Sequence, residues 1–249
     1  MIKTLFNRFE QGCKTSAYPR KPVFLPTEYR GLPIIDQQCS EALVTLCYEN
    51  CPQDAINKEK RSIDLGKCVF CGACEKLSEG NFIKFTNNFE MGVAERDFLN
   101  TDVGMPDLAE HSKKHFKKLF GRSLQLRQVS AGGCNSCEAG LNVLNTPVFD
   151  LSRFGINFVA SPRHADGIMV TGPVSKNMKT ALLKTYEALP TPKVVIANGA
   201  CAISGGPFYG SPEITDWIDH HLLPVDLFIP GCPPHPMTAL HALLKFFKK

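Results

Sequence analysis

Apolar residues change their spacing near Gly121. Beyond it, "SLQLRQVSAGG", "INFVASP", "DGIMVTG", "KVVIANGAC" and "DLFIPGC" are short apolar runs that end in Gly, Ser or Pro. Between them, "MKTALLKTYEAL" and "PMTALHALLKFF" repeat apolar side chains with a helical period. Strands alternating with helices at this spacing predict βαβ units and a mostly parallel sheet, so residues 122–249 are expected to form one α/β domain. Ser211, Pro212 and Glu213 are expected to open a further helix, with Ser as cap, Pro in the first turn and an acid near the positive end of the dipole.

The first half reads differently. Ile2, Leu5, Phe6 and Phe9 fall at i, i+3, i+4 and i+7, one face of a short helix that either packs on its own domain or docks on a partner or a membrane surface. The remainder of 1–35 is a proline-rich and aromatic arm. Residues 36–98 hold short strand-like pieces, "AIN", "RSID" and "NFIKFT", and too little apolar sequence for a comfortable core, so a bound metal cluster would serve as a staple. Residues 99–121 read as a linker with a basic helical stretch at Lys113, Lys114, Lys117 and Lys118.

The formal net charge of +4 does not call for a nucleic-acid partner. No stretch has the roughly 18 apolar residues needed to span a bilayer, and the N-terminus lacks a signal-peptide core, so a cytosolic chain is expected. Eleven cysteines then need a use. In a reducing cytosol, clustered C-x-x-C cysteines point to metal ligands rather than disulfides.

"CVFCGACEKLSEG", residues 68–80, carries C-x-x-C-x-x-C but has Ser78 where the next cysteine of a ferredoxin run would stand. In two-cluster ferredoxins that fourth cysteine ligates the other cluster. The fourth ligand for Cys68, Cys71 and Cys74 is therefore sought upstream, and "CYENCP" supplies Cys51. An offset of 27 residues superposes Cys47 on Cys74 and Cys51 on Ser78, and sets Glu41 and Val44 opposite Cys68 and Cys71. One ligand set survives, Cys51, Cys68, Cys71 and Cys74. The other has lost two ligands, at Glu41 and Val44, and would have Cys39, by a two-residue slip, Cys47 and at best Ser78. This spacing suits a [4Fe-4S] cubane better than the paired knuckles of a zinc site. Cys39 and Cys47 are expected to be buried remnants and Cys13 a free thiol.

The second half has four cysteines: Cys134 and Cys137 in "GGCNSCE", Cys201 in "NGACAISGG" and Cys232 in "PGCPPHP". Three follow predicted strands, and the carboxyl ends of strands are where an open parallel sheet binds ligands, so these loops can converge. Spacing alone leaves open whether Cys201 and Cys232 are ligands or simply buried. With "SPRHADGIMVTGPVSKNM" and "PVDLFIPGCPP", these segments resemble the small electron-transfer subunit of [NiFe]-hydrogenases and the related 20 kDa subunit of NADH:quinone oxidoreductase. The resemblance implies a flavodoxin-like sheet domain and a [4Fe-4S] cluster on Cys134, Cys137, Cys201 and Cys232. Complex I subunits typically have adjacent first cysteines; Asn135 and Ser136 between them resemble the formate hydrogenlyase and energy-converting hydrogenase side. "TSAYPRKPV", "YRGLP", "QQC" and "GKCVFCGACE" resemble the ferredoxin-like subunit of formate hydrogenlyase, which implies an N-terminal α+β ferredoxin-like domain fused to the first.

The spacing of the first set and the resemblance of the second together give two [4Fe-4S] clusters, no catalytic residue and a role as electron wire. The ferredoxin-like family usually carries two full cluster motifs, from which this chain departs at Glu41, Val44 and Ser78. The implied partners are a hydrogenase-like large subunit, membrane-embedded subunits, and a ferredoxin-like or dehydrogenase electron partner, with the chain peripheral on the inner face of the cell membrane. The alternative is a complex I-like quinone oxidoreductase whose large subunit lacks nickel; a third is a zinc-stabilised scaffold. Glu138 reads as a helix-start acid or a proton relay, Arg163 and His164 as interface or surface residues, and His220 and His221 as structural or surface.

Overall fold

A computed structural model describes residues 2–106, 108, 123–215 and 222–247. The basic stretch at Lys113–Lys118, together with His220 and His221, lies outside the described residues.

The second half is built on five parallel strands: β5 (Leu124–Ser130), β6 (Ile156–Phe158), β7 (Gly167–Thr171), β8 (Val194–Asn198) and β9 (Leu227–Ile229). Their spatial order is β6-β5-β7-β8-β9, the doubly wound, flavodoxin-like order with its switch point beside the first strand. β7, β8 and β9 are buried along their whole length, as expected of strands covered on both faces. Helices α4 (Ser136–Val143), α5 (Lys176–Glu187), α6 (Ala200–Ser204) and α7 (Pro236–Phe247) supply the connections and cover. The helix expected from Ser211 does not begin there: Pro212 and Glu213 form a turn, and Ile214 bridges Ser175.

The first half is a compact α+β ferredoxin-like unit. β1 (Pro33–Ile35) pairs antiparallel with β4 (Ile83–Phe85), and β2 (Ile56–Asn57) with β3 (Ser62–Ile63). Helix α2 (Glu41–Glu49) follows β1 and α3 (Ala73–Leu77) follows β3, which gives two interlocked β-α-β halves. Shifted by 27 residues, β2 falls on β4 and α2 falls on residues 68–76. One half therefore keeps an open cysteine loop where the other has closed into helix. The unit also reaches beyond the expected 36–98: β1 starts at Pro33, and Thr101 Oγ1 accepts the N–H of Ile63 at 2.9 Å.

The two halves are not separately packed. Val44, Ile63, Leu65 and Phe82 belong to one buried cluster with Val129, Val170, Ile203 and Phe228. Val93 and Phe228 exchange both backbone hydrogen bonds, at 3.0 and 2.8 Å, along the outer edge of β9. Helix α7 is buried on all sides because the first half covers its outer face: Tyr29 reaches Thr238 at 3.1 Å, and a Cβ on Gly92 would strike Ala242. The sheet domain, and not a metal cluster alone, completes the core that the first half lacks. Helix α1 (Ile2–Gln11) is the exception, for none of its residues is buried.

Gly167 pairs with Val194, and a Cβ there would overlap that residue's side chain and carbonyl. Gly167→Ala is expected to destabilise the protein by about 1 to 3 kcal/mol, the range for overpacking a well-filled core, read as a lower urea midpoint.

Candidate metal centres

Cys51, Cys68, Cys71 and Cys74 line one cavity, whose other walls include Ile56, Ile63, Val69 and Phe85. The cysteine loop holds two left-handed residues, Phe70 at φ +54° and Gly72 at φ +77°, which fold the chain back around the cavity. Backbone N–H groups already point at sulfur: Ala55 donates to Cys51 at 3.4 Å and Phe70 to Cys68 at 3.3 Å. Burial, reinforced by the neighbouring cysteines, pushes the thiols of Cys68 and Cys74 up to about 12.

The mirror position in the other half is filled with protein. Val44 is buried, Glu41 points outward to Lys58 and Arg61, and Cys47 and Ser78 both donate to the carbonyl of Cys74, at 3.4 and 2.9 Å. Arg61 closes the same corner through the carbonyl of Cys39 at 2.8 Å. Cys39 and Cys47 stand in the apolar core, and Cys13 is exposed.

At the carboxyl end of the parallel sheet, Cys134 and Cys137 stand at the start of α4, Cys201 in α6 and Cys232 after β9. Burial pushes Cys137 up to about 12, followed by the charges of Cys201, Glu138, Cys232 and Cys134; Cys201 rises to about 11, again chiefly through burial. The loops approach closely because glycine lets them. A Cβ at Gly199, φ +98°, would lie 2.7 Å from Cys137 Sγ, and one at Gly206, φ +53°, 2.9 Å from Cys201 Sγ. Cys134 and Cys232 are exposed, so this site opens to the surface.

Glu138 is buried beside these thiols. Desolvation raises its pKa, but the hydroxyls of Ser130 and Thr171, each 2.7 Å from its carboxylate, outweigh that and leave it below the ordinary value. It ties the first turn of α4 to the ends of β5 and β7 and is not a solvated helix-start acid. Arg163 and His164 are exposed on the turn that leads into the starting end of β7, whereas the thiols gather at the carboxyl ends.

One link between the sites has no signature in the sequence. The Ser204 hydroxyl lies 3.0 Å from the carbonyl of Gly66 and 3.1 Å from that of Ala200. Gly66 stands two residues before Cys68, and Ala200 is bonded directly to Cys201. Gly66 is held there by a bidentate pair of Arg96 with Asp64, at 2.8 and 2.6 Å, and has no room for a Cβ against Ile203.

The donor sets fit iron-sulfur clusters. The first is four free thiols lining one cavity, with backbone turned toward sulfur. In the second, the thiols of Cys134, Cys201 and Cys232 stand near enough to Cys137 for their charges to act on it, with glycines stripped of Cβ beside the sulfurs. Among the described residues, no group of three or more His, Cys, Asp or Glu side chains is placed to hold a metal ion.

A doubly wound parallel sheet with four free cysteines at its carboxyl end places the chain in the class of α/β oxidoreductase subunits. The chain belongs to the NADH ubiquinone oxidoreductase 20 kDa subunit family, whose model matches residues 134–246. It is 43% identical over 132 residues to a probable membrane-bound hydrogenase subunit of Pyrococcus furiosus, covering 53% of this chain and 78% of that one. Over 129 residues it is 41% identical to formate hydrogenlyase subunit 7 of Escherichia coli, covering 52% and 50%. A NADH-quinone oxidoreductase subunit of Roseiflexus sp. is 44% identical over 132 residues, covering 52% and 48%. The chain thus spans about half the length of the last two. A solved chain of the membrane-bound sulfane sulfur reductase, an archaeal respiratory membrane complex, matches 51% of this chain and 70% of its own, at 33% identity and a TM-score of 0.45.

The exposed Cys134 has its pKa lowered, first by the Ser136 hydroxyl, while Cys68, Cys74 and Cys137 are raised. Because the thiolate is the nucleophile, metal-free protein titrated upward from neutral pH should be alkylated by iodoacetamide first at Cys134 and at Cys13, which is also exposed with a lowered pKa. Peptide mass spectrometry is expected to find the half-buried Cys68, Cys74 and Cys137 protected until strongly alkaline pH.

Proposed function

We propose that the chain is the electron-transfer subunit of a membrane-associated [NiFe]-hydrogenase-like complex of the formate hydrogenlyase type. It passes electrons between a ferredoxin-like or dehydrogenase partner and the active site of a large subunit. Cys51, Cys68, Cys71 and Cys74 hold one [4Fe-4S] cluster, and Cys134, Cys137, Cys201 and Cys232 hold a second. Such clusters supply a one-electron carrier at each site, with a potential set by burial, charge and hydrogen bonds to sulfur. The observation that supports this reading is that the two halves share one buried core and that Ser204 joins the segment before Cys68 to the helix that carries Cys201.

The protein's own groups have defined tasks. The raised pKa values keep Cys68 and Cys137 protonated at neutral pH, so they would ionise only where a cationic cluster takes the thiolate, the proton leaving to solvent. Cys51 and Cys68 accept backbone hydrogen bonds that stabilise negative charge on sulfur. Glu138, fixed by Ser130 and Thr171, places a negative charge beside the second site and lowers its potential. Cys134 and Cys232 leave that site open to the large subunit, and the chain sits at the inner face of the membrane through its partner subunits. Among the described residues no helix is long and apolar enough to cross a membrane.

The comparable identity to a quinone oxidoreductase subunit supports a second reading, in which the partner lacks nickel and reduces quinone. Two C-x-x-C pairs in the large subunit's sequence would select the hydrogenase reading.

Protein purified without oxygen should contain about eight iron atoms and as much acid-labile sulfide. Cys51→Ala or Cys201→Ala should each lower that to about four, while Cys39→Ala and Cys47→Ala leave it unchanged. Zinc in place of iron would end the electron-wire account, and about twelve irons would put a third cluster on Cys39 and Cys47.

Ser204→Ala should slow electron transfer between the sites several-fold with iron content and both potentials unchanged, and Ser204→Thr should restore it. Flash photoreduction followed by rapid-freeze EPR gives the rate; if Ser204→Ala matches the parent, Ser204 is not on the route.

A further inference from the structure

Helix α1 presents an apolar stripe that the rest of the described chain does not cover. Ile2, Leu5, Phe6 and Phe9 are 59 to 84% exposed, and no residue of the helix is buried. At about 100° per residue the four side chains fill an arc of about 100°, and Lys3 and Arg8 stand about 60° beyond its two edges. Basic side chains on both rims can extend their stems along an apolar surface and keep their charges in the headgroup layer.

The charge of the neighbouring segment selects the occupant. Residues 2–21 contain Lys3, Arg8, Lys14, Arg20 and Lys21 against Glu10 alone, a net +4. That equals the formal net charge of the whole chain, so the remaining residues balance. The segment is also anchored to the body. Ser16 N–H donates to the carbonyl of Val148 at 2.8 Å, and Arg153 holds the carbonyls of Ser16 and Tyr18 at 2.6 and 2.8 Å. Four residues separate this anchor from the helix, a tether short enough for the helix to orient the body.

We infer that α1 lies in the headgroup layer of an anionic bilayer, its apolar stripe in the acyl boundary and Lys3 and Arg8 on the lipid phosphates. The protein then touches lipid itself, in addition to any hold through membrane-embedded partners, and the inference stands without the electron-transfer reading.

The test is flotation of the full-length holoprotein with vesicles. At low ionic strength it should float with vesicles of equal parts phosphatidylglycerol and phosphatidylcholine, and added salt or pure phosphatidylcholine should weaken binding. Phe6→Glu/Phe9→Glu should abolish flotation with circular dichroism and iron content unchanged, since α1 supports no core. Lys3→Glu/Arg8→Glu should weaken it by more than about tenfold, at about fivefold per basic residue lost. Absence of flotation with the anionic vesicles overturns the inference, as does undiminished flotation of Phe6→Glu/Phe9→Glu. So does release of that variant from its assembled complex when the parent fails to bind vesicles, which would make α1 a protein contact.

Discussion

Thiols in a dry space repel one another as soon as they ionise, and the inward-facing cysteines of both sets, Cys68 and Cys74 in the first and Cys137 and Cys201 in the second, bear that cost. Water would relieve it, but the first site is walled by Ile56, Ile63, Val69 and Phe85, and at the second Cys201 is buried. The remedy available is positive charge among the sulfurs, helped by N–H dipoles such as those of Ala55 and Phe70. The left-handed residues around the cysteines serve the same end, because only tight loops bring four sulfurs together with so little backbone between them.

The second organising fact is a shared interior. A unit as small as the first half buries too little surface to be firmly stable alone. Here its Val44, Leu65 and Phe82 rest on the same cluster as Val170 and Phe228 of the sheet, so neither half is a free module. Ser204 shows the gain in rigidity: a hydroxyl can sit between Gly66 and Ala200 only if α6 and the cysteine loop do not slide past one another.

Much of this is legible in the chain. Short apolar runs ending in Gly or Pro mark the five strands, and the 27-residue offset points to Cys51 as the companion of Cys68, Cys71 and Cys74, which line one cavity with it. What the chain does not reveal is tertiary. Helix α2 escapes notice because its sequence aligns with a metal-binding loop, while burial of Val44 and Cys47 one helical turn apart supports its coiling. Ser211-Pro212-Glu213 carries every sign of a helix start, yet Ile214 is drawn into a bridge with Ser175. Glu138 has the position of a surface cap, but Ser130 and Thr171, the latter distant in sequence, take hold of its carboxylate.

The bridge between Val93 and Phe228 has a consequence for how the protein keeps company. An open sheet normally exposes two edges at which stray strands can add. Here one edge is occupied along β9 by the chain's own first half, and the other, β6, is only three residues long. Growth of the sheet into a second molecule is thereby disfavoured on both flanks.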